Sequence, residues 1–256
     1  MIDVNRIYNE DCLETMARMH DGFVGLTVTS PPYDNLRIYN GYVFDYKKTA
    51  ESLYRVTKSG GVVVWVIADG SVDGGETGTS FEQALYFKNI GFKIHDTMIY
   101  EKTGFSNPSS TRYHQVFEYM FVFSKRSPKT HNLIADRENR FERWGKTKKV
   151  REKDGSFTIR QTKPFAKFGR RFNVWKIASG GQGNQTVDDF SFAHPATFPE
   201  KLANDHIISW SNEGDLVYDP FVGSGTTAKM AILNRRNFIG SEISKDYCDI
   251  AEKRIG

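Results

Sequence analysis

The stretch that decides the fold is Asp219-Pro220-Phe221-Val222-Gly223-Ser224-Gly225-Thr226-Thr227. It lies between a predicted strand at 215–218 and a predicted helix at 226–234. Glycines let the backbone approach a ligand closely, and small hydroxyl residues favour the start of a helix. Such a loop, placed between a strand and a helix, is where nucleotide-like ligands bind in open α/β sheets.

Strands and helices alternate along most of the chain. The run Val62-Val63-Val64-Trp65-Val66-Ile67 is almost continuously apolar, which is typical of a central parallel strand. Asp45 is the expected cap of helix 46–56, and Gly60-Gly61 is expected to close it. The alternation predicts an α/β fold with a mostly parallel central sheet. Further strands are predicted at 24–29, 93–101, 117–124 and 238–240, and further helices at 12–19, 81–89, 199–211 and 245–254.

A second loop, Ser30-Pro31-Pro32-Tyr33, follows the first predicted strand. Two prolines cannot donate ladder hydrogen bonds, so the strand must end there in a rigid turn. The Ser30 hydroxyl and the Pro31 carbonyl are acceptors that can bind the two hydrogens of an aryl amine. Tyr33 offers a face on which a flipped base can stack. A purely structural proline turn is the competing interpretation.

The positive charge of the chain is concentrated in one region. The net charge is +4, yet residues 125–176 carry 17 Lys and Arg against 5 Asp and Glu, so they contribute +12 and the remainder 4 − 12 = −8. Helical and strand periodicity fails from 126 to about 183, which predicts an inserted, loop-rich region with a polyanionic partner. A solvated, flexible loop would carry the same charge. The candidate phosphate contacts are Lys148, Lys149, Lys167, Arg170 and Arg171.

Composition excludes several classes of protein. No window approaches 18 consecutive apolar residues, and the polar start of the chain is unlike a signal peptide, so we expect a cytoplasmic protein without membrane contact. Cys12 and Cys248 are too few for a disulfide framework or a zinc site made of cysteines, and no metal is expected. The pattern Gly223-x-Gly225-x-x-Ala228 with Glu242 also approaches the dinucleotide fingerprint of nicotinamide enzymes. A glycine-rich turn without a ligand is a further possibility.

Both loops together resemble the amino-group DNA methyltransferases, through D-P-F-x-G-S-G-T with a later acidic residue and through S-P-P-Y. The S-P-P-Y loop comes first in this chain, which resembles the permuted β class. The resemblance implies a Rossmann-like methyltransferase fold, S-adenosylmethionine as cofactor and double-stranded DNA as substrate. It implies a catalytic half at 1–125, a target-recognition region at 126–183 and a cofactor-binding half at 184–256. It argues against a dehydrogenase, whose glycine loop follows the first strand.

The resemblance also assigns residues. The catalytic loop is Ser30, Pro31, Pro32 and Tyr33. Two of the residues that the resemblance assigns to the cofactor have a competing interpretation. Asp11 is also a candidate helix cap, and Lys201 is also compatible with a solvated side chain. The implied cofactor-binding residues are Asp11, Phe198, Lys201, Asp219, Pro220, Phe221, Gly223, Ser224, Gly225, Thr226, Thr227 and Glu242.

The base that is methylated depends on one residue. In this family, Ser at the first position of the catalytic motif is commoner among cytosine-N4 enzymes, so Ser30 favours cytosine N4. Adenine N6 stays open as the alternative target. Transfer to cytosine C5 needs a thiolate nucleophile, and both cysteines lie in predicted helices. The same loops are also compatible with an RNA or protein-amide methyltransferase and with an inactive DNA-binding protein. The resemblance is compatible with a homodimer and with a restriction endonuclease on a separate chain.

Overall fold

The computed structural model describes residues 2–32, 44–104, 110–139, 147–161, 166–178 and 199–256. The chain divides into two compact units. The larger unit comprises Met1–Asn132 and Asn173–Gly256, and the smaller, called here the insert unit, comprises Leu133–Phe172.

Fourteen strands are found in the described residues. They are β1 (Arg6–Tyr8), β2 (Val24–Thr29), β3 (Thr57–Ile67), β4 (Ser71–Val72), β5 (Gly75–Glu76), β6 (Lys93–Lys102), β7 (Phe117–Ser124), β8 (Arg137–Glu138), β9 (Thr147–Arg151), β10 (Phe157–Gln161), β11 (Phe168–Gly169), β12 (Val174–Ile177), β13 (Leu216–Asp219) and β14 (Asn237–Ser241). The larger unit contains an eight-stranded sheet in the order β1-β14-β13-β2-β3-β7-β6-β12. Strand β7 runs antiparallel to both of its neighbours, and the other pairings are parallel. The predicted α/β fold with a mostly parallel sheet is confirmed.

Helices cover both faces of this sheet. They are α1 (Cys12–Ala17), α2 (Tyr46–Val56), α3 (Thr79–Asn89), α4 (Glu200–Trp210), α5 (Thr226–Leu233) and α6 (Lys245–Ile255). Side chains of α1, α2 and α3 belong to one hydrophobic cluster, and those of α4, α5 and α6 to the other. Successive side chains of a strand point to opposite faces, so β3 sends Val62, Val64 and Val66 into one cluster and Val63, Trp65 and Ile67 into the other. This two-sided burial explains the unbroken apolar run.

The predicted signal for the end of α2 differs from the structure. Helix α2 is capped by Asp45 and ends at Val56, both as predicted, and it ends there because Thr57 is already extended. The prediction that Gly60-Gly61 closes this helix is wrong, since both glycines lie inside β3. A Cβ atom on Gly61 would lie 2.9 Å from the Gly25 carbonyl oxygen, so the close approach of β2 and β3 requires a glycine there.

The insert unit is narrower than the interval 126–183 and contains regular structure. Strand β9 pairs with β10 and β8 with β11, both antiparallel. Val174–Ile177, which the sequence pattern placed in the insertion, is strand β12 at the edge of the main sheet. Its Trp175 and Ile177 are buried, but four residues are too short a run to show this periodicity in the sequence.

In the part of the chain that the structure describes, no helix is long and apolar enough to cross a membrane.

We predict that Trp65→Phe lowers the free energy of unfolding by about 3 kcal/mol. The indole N–H of this fully buried residue donates a 2.9 Å hydrogen bond to Gln83 Oε1, and the smaller ring leaves that oxygen buried without its donor as well as a small cavity. Urea unfolding measures the change. Adding Gln83→Met to this variant should recover part of the lost free energy of unfolding. The control is Phe81→Leu, at a half-exposed ring of α3, which should lower the free energy of unfolding less than Trp65→Phe does.

Candidate functional site

The site lies at the point where the strand order of the sheet reverses. Strands β13 and β2 are parallel neighbours, with Val217 opposite Leu26 and Tyr218 opposite Thr27. After β13 the chain passes through α5 to β14 on one side, and after β2 it passes through α2 to β3 on the other. A crevice opens at such a switch point, beyond the carboxyl ends of the strands, and it is the usual ligand site of an open α/β sheet.

Two hydrogen bonds join the loops that follow these strands. The Thr29 hydroxyl donates to Asp219 Oδ1 at 2.6 Å, across 190 residues of sequence. The Thr227 hydroxyl donates to the Val28 carbonyl at 3.3 Å. The structure therefore brings together the loop that begins at Ser30, called here the Ser30 loop, and the loop Asp219–Thr227, called here the glycine loop, as expected from their positions after predicted strands.

Asp219 is a carboxylate withdrawn from solvent. Burial raises the pKa of Asp219 to about 6, although hydrogen bonds from the Thr29 hydroxyl and the Phe221 N–H, together with the neighbouring Thr227 hydroxyl, act in the opposite direction. At neutral pH the group is ionised, so the site holds a negative charge that little water screens.

Glu242 is a second desolvated carboxylate, at the end of β14. Its Oε2 accepts the Gly223 N–H at 3.0 Å and its Oε1 accepts the Ser244 N–H at 2.9 Å. Burial raises the pKa of Glu242, although these backbone hydrogen bonds oppose the shift. A carboxylate oxygen has two acceptor sites, so each still has a lone pair for a ligand hydroxyl.

The N–H groups of the glycine loop are largely used inside the protein. Those of Phe221 and Gly223 donate to the two carboxylates. Those of Val222 and Gly225 donate to the carbonyls of Ser241 and Val222, at 3.0 and 2.8 Å. Phosphate-binding loops present free N–H groups to their anion. This loop, with two carboxylates beside it, fits a ligand that has hydroxyls and positive charge better than a dinucleotide phosphate.

The hydroxyls of the glycine loop also face the protein. Ser224, Thr226 and Thr227 are buried. Arg254 Nη1 donates to the Ser224 carbonyl and hydroxyl, both at 3.1 Å, and to the Thr226 hydroxyl at 2.8 Å. These three hydroxyls, which the resemblance assigned to the cofactor, therefore hold the loop in place in this structure.

Arg254 and Glu200 are functional candidates that sequence reasoning missed. The Arg254 side chain is fully buried, and its Nη2 donates to Glu200 Oε1 at 2.7 Å. Lys229 contacts the same oxygen at 3.0 Å, so α4, α5 and α6 meet at one carboxylate. A charged residue at the end of the last helix gives no signal by itself, because its partners lie 28 to 54 residues away.

Position 225 also requires a glycine. Its φ of +84° is in the left-handed region, and a Cβ atom there would lie 3.0 Å from the Ala251 Cβ and 3.1 Å from its Cα. Glycine thus lets α5 begin directly against α6.

The catalytic-loop residues are placed in part. Ser30 and Pro32 are half-buried and Pro31 is buried, directly after β2. Tyr33, and likewise Phe198 of the implied cofactor set, lie outside the described residues. Pro220 is buried and Phe221 is half-buried.

Asp11 and Lys201 both have protein partners. Asp11 caps α1 by accepting the Leu13 N–H at 2.7 Å, which confirms the capping role. Lys201 Nζ lies 3.0 Å from the buried Asp205 Oδ2, one turn along α4. Neither contact tests a role in cofactor binding.

The five candidate DNA contacts all lie in the insert unit. Lys148 and Lys149 are exposed neighbours on β9, and Lys167 and Arg170 are exposed near β11. Arg171 differs, because its guanidinium forms an ion pair with Asp136 and its side chain is only 18% exposed. It is less available for a phosphate than the other four.

The cysteines are unsuited to covalent catalysis. Burial raises the pKa of both Cys12 and Cys248 to about 12, so neither forms a thiolate at neutral pH. Among the described residues, no group of three or more His, Cys, Asp and Glu is arranged to hold a metal ion.

Comparison with known proteins defines the class. A family model described as DNA methylase, that of the N6/N4 methyltransferases, matches residues 24–253. The chain therefore belongs to the N6/N4 family of DNA methyltransferases, and the resemblance drawn from the two loops is confirmed.

Individual relatives agree with this assignment. The orphan methyltransferase M.BamHII of Bacillus amyloliquefaciens is 60% identical over 92% of this chain and 89% of its own length. The type II methyltransferase M.BglII of Bacillus subtilis is 26% identical over 97% of this chain and 68% of its own.

Solved structures share the fold. The PvuII DNA methyltransferase (cytosine-N4-specific) has a TM-score of 0.74 and 20% identity, over 98% of this chain and 86% of that one. The M1.HpyAVI–SAM complex has a TM-score of 0.60 and 20% identity, over 97% and 98%.

We predict that the stability of wild type relative to Asp219→Asn decreases between pH 4 and 7. The folded pKa of about 6 lies above the usual 3.8, so the stabilising contribution of Asp219 is complete below pH 4 and is lost as the pH rises through about 6. A shift of this size corresponds to about 3 kcal/mol. Urea unfolding across this range measures the difference. Asp73→Asn, at an exposed turn, is the control and should leave the pH profile unchanged; parallel wild-type and Asp219→Asn profiles would contradict the prediction.

Proposed function

We propose that this protein transfers a methyl group from S-adenosylmethionine to an exocyclic amine of a base in double-stranded DNA, with cytosine N4 favoured over adenine N6. The observation that carries the proposal is the hydrogen bond from Thr29 to Asp219, because it joins an S-P-P loop to a glycine loop at the switch point of the sheet.

The residues at this switch point fit S-adenosylmethionine. The cofactor carries ribose hydroxyls, an ammonium group and a positively charged sulfur to which the transferable methyl is bonded. Glu242 is suited to the hydroxyls through the free lone pairs of its carboxylate. Asp219 supplies a desolvated negative charge that is complementary to the cationic end. That M1.HpyAVI is described as a SAM complex supports the same assignment.

The Ser30 loop would then orient the amine. The lone pair of an exocyclic amine is delocalised into the ring, so the nitrogen is a poor nucleophile. Acceptance of its two hydrogens by the Ser30 hydroxyl and the Pro31 carbonyl would favour a pyramidal nitrogen with its lone pair directed at the methyl group. The product loses one N–H proton to solvent. The target base must leave the duplex to reach the loop, and Tyr33 would stack against it.

The choice of cytosine N4 rests on Ser30 as the first residue of the motif. The name of the PvuII enzyme, cytosine-N4-specific, is consistent with that choice but comes from a chain only 20% identical. Adenine N6 is the second candidate, since the matched family includes both activities. We further propose a type II modification activity, as in the names of several relatives. The homodimer and the separate restriction endonuclease remain predictions of the sequence.

We predict that purified protein with S-adenosylmethionine forms N4-methylcytosine in unmethylated plasmid DNA. Digestion to nucleosides followed by mass spectrometry measures the product. N6-methyladenine alone would refute the cytosine preference, and the absence of any methylated nucleoside would refute the proposal.

Ser30→Ala should lower kcat by about 10²-fold, while the Kd for S-adenosylmethionine stays unchanged. Ser110→Ala, at an exposed loop residue, is the control and should retain full activity.

We also predict that Arg254→Met weakens S-adenosylmethionine binding at least tenfold. The change removes the hydrogen bonds to Ser224 and Thr226 and leaves Glu200 with Lys229, which costs about 3–5 kcal/mol of stability and releases the glycine loop. Calorimetric titration well below the unfolding temperature measures the affinity. Lys253→Met removes an exposed charge from the same helix and should leave binding unaltered. Wild-type affinity in the Arg254 variant would show that the hydrogen bonds of Arg254 do not position the glycine loop.

A further inference from the structure

The hairpin formed by β9 and β10 has two different faces. Because neighbouring side chains of a strand alternate, the pairs Thr147–Gln161, Lys149–Ile159 and Arg151–Phe157 share one side, called here the Lys149 face. The pairs Lys148–Arg160 and Val150–Thr158 share the other, the Lys148 face. Two lysines adjacent in sequence therefore point in opposite directions.

The Lys149 face combines positive charge with exposed apolar surface. Phe157 is 56% exposed and Ile159 is 74% exposed, and together they form an apolar patch on one face of the hairpin. The Lys149 ammonium lies 4.7 Å from the centre of the Phe157 ring. Neither Lys149 nor Arg151 forms an ion pair with a residue that the structure describes, and no acidic residue shares their face.

The Lys148 face carries a bound carboxylate. Arg160 Nη2 donates to Glu152 Oε1 at 2.8 Å, and the Thr158 hydroxyl donates to the same oxygen at 2.5 Å. These two hydrogen bonds lower the pKa of Glu152, so the carboxylate is charged at neutral pH. Half of the positive charge of this face is thus compensated, and a phosphate would meet a negative group there.

We infer that the Lys149 face is the surface by which the insert unit docks into the major groove of duplex DNA. This inference rests on the proposed function, because it takes DNA as the substrate. A two-stranded β-ribbon fits the major groove, where thymine methyl groups offer apolar contacts. Phe157 and Ile159 contact such base edges, while Lys149 and Arg151 contact the flanking phosphates.

The charge pattern argues for a nucleic acid rather than a protein partner. An exposed apolar patch by itself marks an interaction surface of either kind. Here the two apolar side chains lie directly opposite two cations, no acidic residue shares their face, and the surrounding region 125–176 has a net charge of +12. Lys148, which the sequence analysis expects to contact DNA, lies outside this proposed interface because it is on the side that carries Glu152.

The test compares two double variants that each remove two positive charges from the hairpin. Lys149→Ala with Arg151→Ala alters the Lys149 face, and Lys148→Ala with Arg160→Ala alters the other. Binding to a fluorescein-labelled random-sequence duplex of about 30 base pairs is measured by anisotropy between about 50 and 200 mM salt. The first variant should reduce the slope of log K against log salt by about 1.8, which is about 0.9 per lost phosphate contact. The second should change it by less than about 0.5.

A second pair of variants tests base contact. Ile159→Ser on the Lys149 face and Thr158→Ala on the other are expressed in cells, and modified-base sequencing of the cellular DNA reports the methylated sequence context. The Ile159 change should broaden or shift that context, and the Thr158 change should leave it as in wild type.

The outcomes separate this inference from the function on which it rests. Equal slope changes in both double variants, or a larger change in the Lys148 pair, would overturn the face assignment while wild-type methylation of DNA upholds the proposed function. A wild-type protein that neither binds the duplex nor methylates it would overturn both. All substituted residues are exposed, and the described side-chain contacts that are lost are surface contacts of Arg160 and Thr158 with Glu152 and of Lys149 with the Phe157 ring. The midpoint of thermal unfolding should therefore change little, and a midpoint near that of wild type excludes misfolding as the cause.

Discussion

The parallel pairing of β2 with β13 is the constraint on which the site depends. These strands come from opposite ends of the chain, and their registry places Thr29 beside Asp219. Parallel neighbours end at the same edge of a sheet, so the Ser30 loop and the glycine loop must emerge together. A permuted order of motifs is therefore no obstacle to assembling one site, because the sheet, and not the chain order, determines which loops are neighbours.

The charge at this edge determines which ligand the glycine loop suits. Glycine-rich turns before helices often bind phosphate, because their free N–H groups and the helix dipole favour an anion. Here Asp219 and Glu242 accept the N–H groups of Phe221 and Gly223. The same backbone geometry is thus better suited to a cationic ligand with hydroxyls than to a phosphate. The difference between these two uses lies in two carboxylates, and a glycine pattern alone does not reveal it.

Sequence reasoning succeeded where the signal is local or follows from sheet geometry. The apolar run of β3, the Asp45 and Asp11 caps and the adjacency of the two loops were all predictable for this reason. It failed where a contact joins distant residues. Gly60-Gly61 was mistaken for a helix stop because the approach of Gly25 is invisible in the sequence. The contacts of Arg254 are not predictable, because nothing near residue 254 indicates that Glu200 and Thr226 lie beside it.

The uneven charge of the chain has a physical consequence for a methyltransferase of DNA. The enzyme must bind a polyanion and a cationic cofactor at the same time, and one uniformly charged surface would suit only one of them. The basic residues are concentrated at 125–176, whereas the remainder carries −8 and contains both desolvated carboxylates of the site. In the proposed function each ligand would meet residues of opposite charge, and the phosphates of the DNA would not compete for the carboxylates proposed to bind the cofactor. Within the basic region, alternation along a single hairpin refines this separation further, since one face retains its cations and the other compensates them with Glu152.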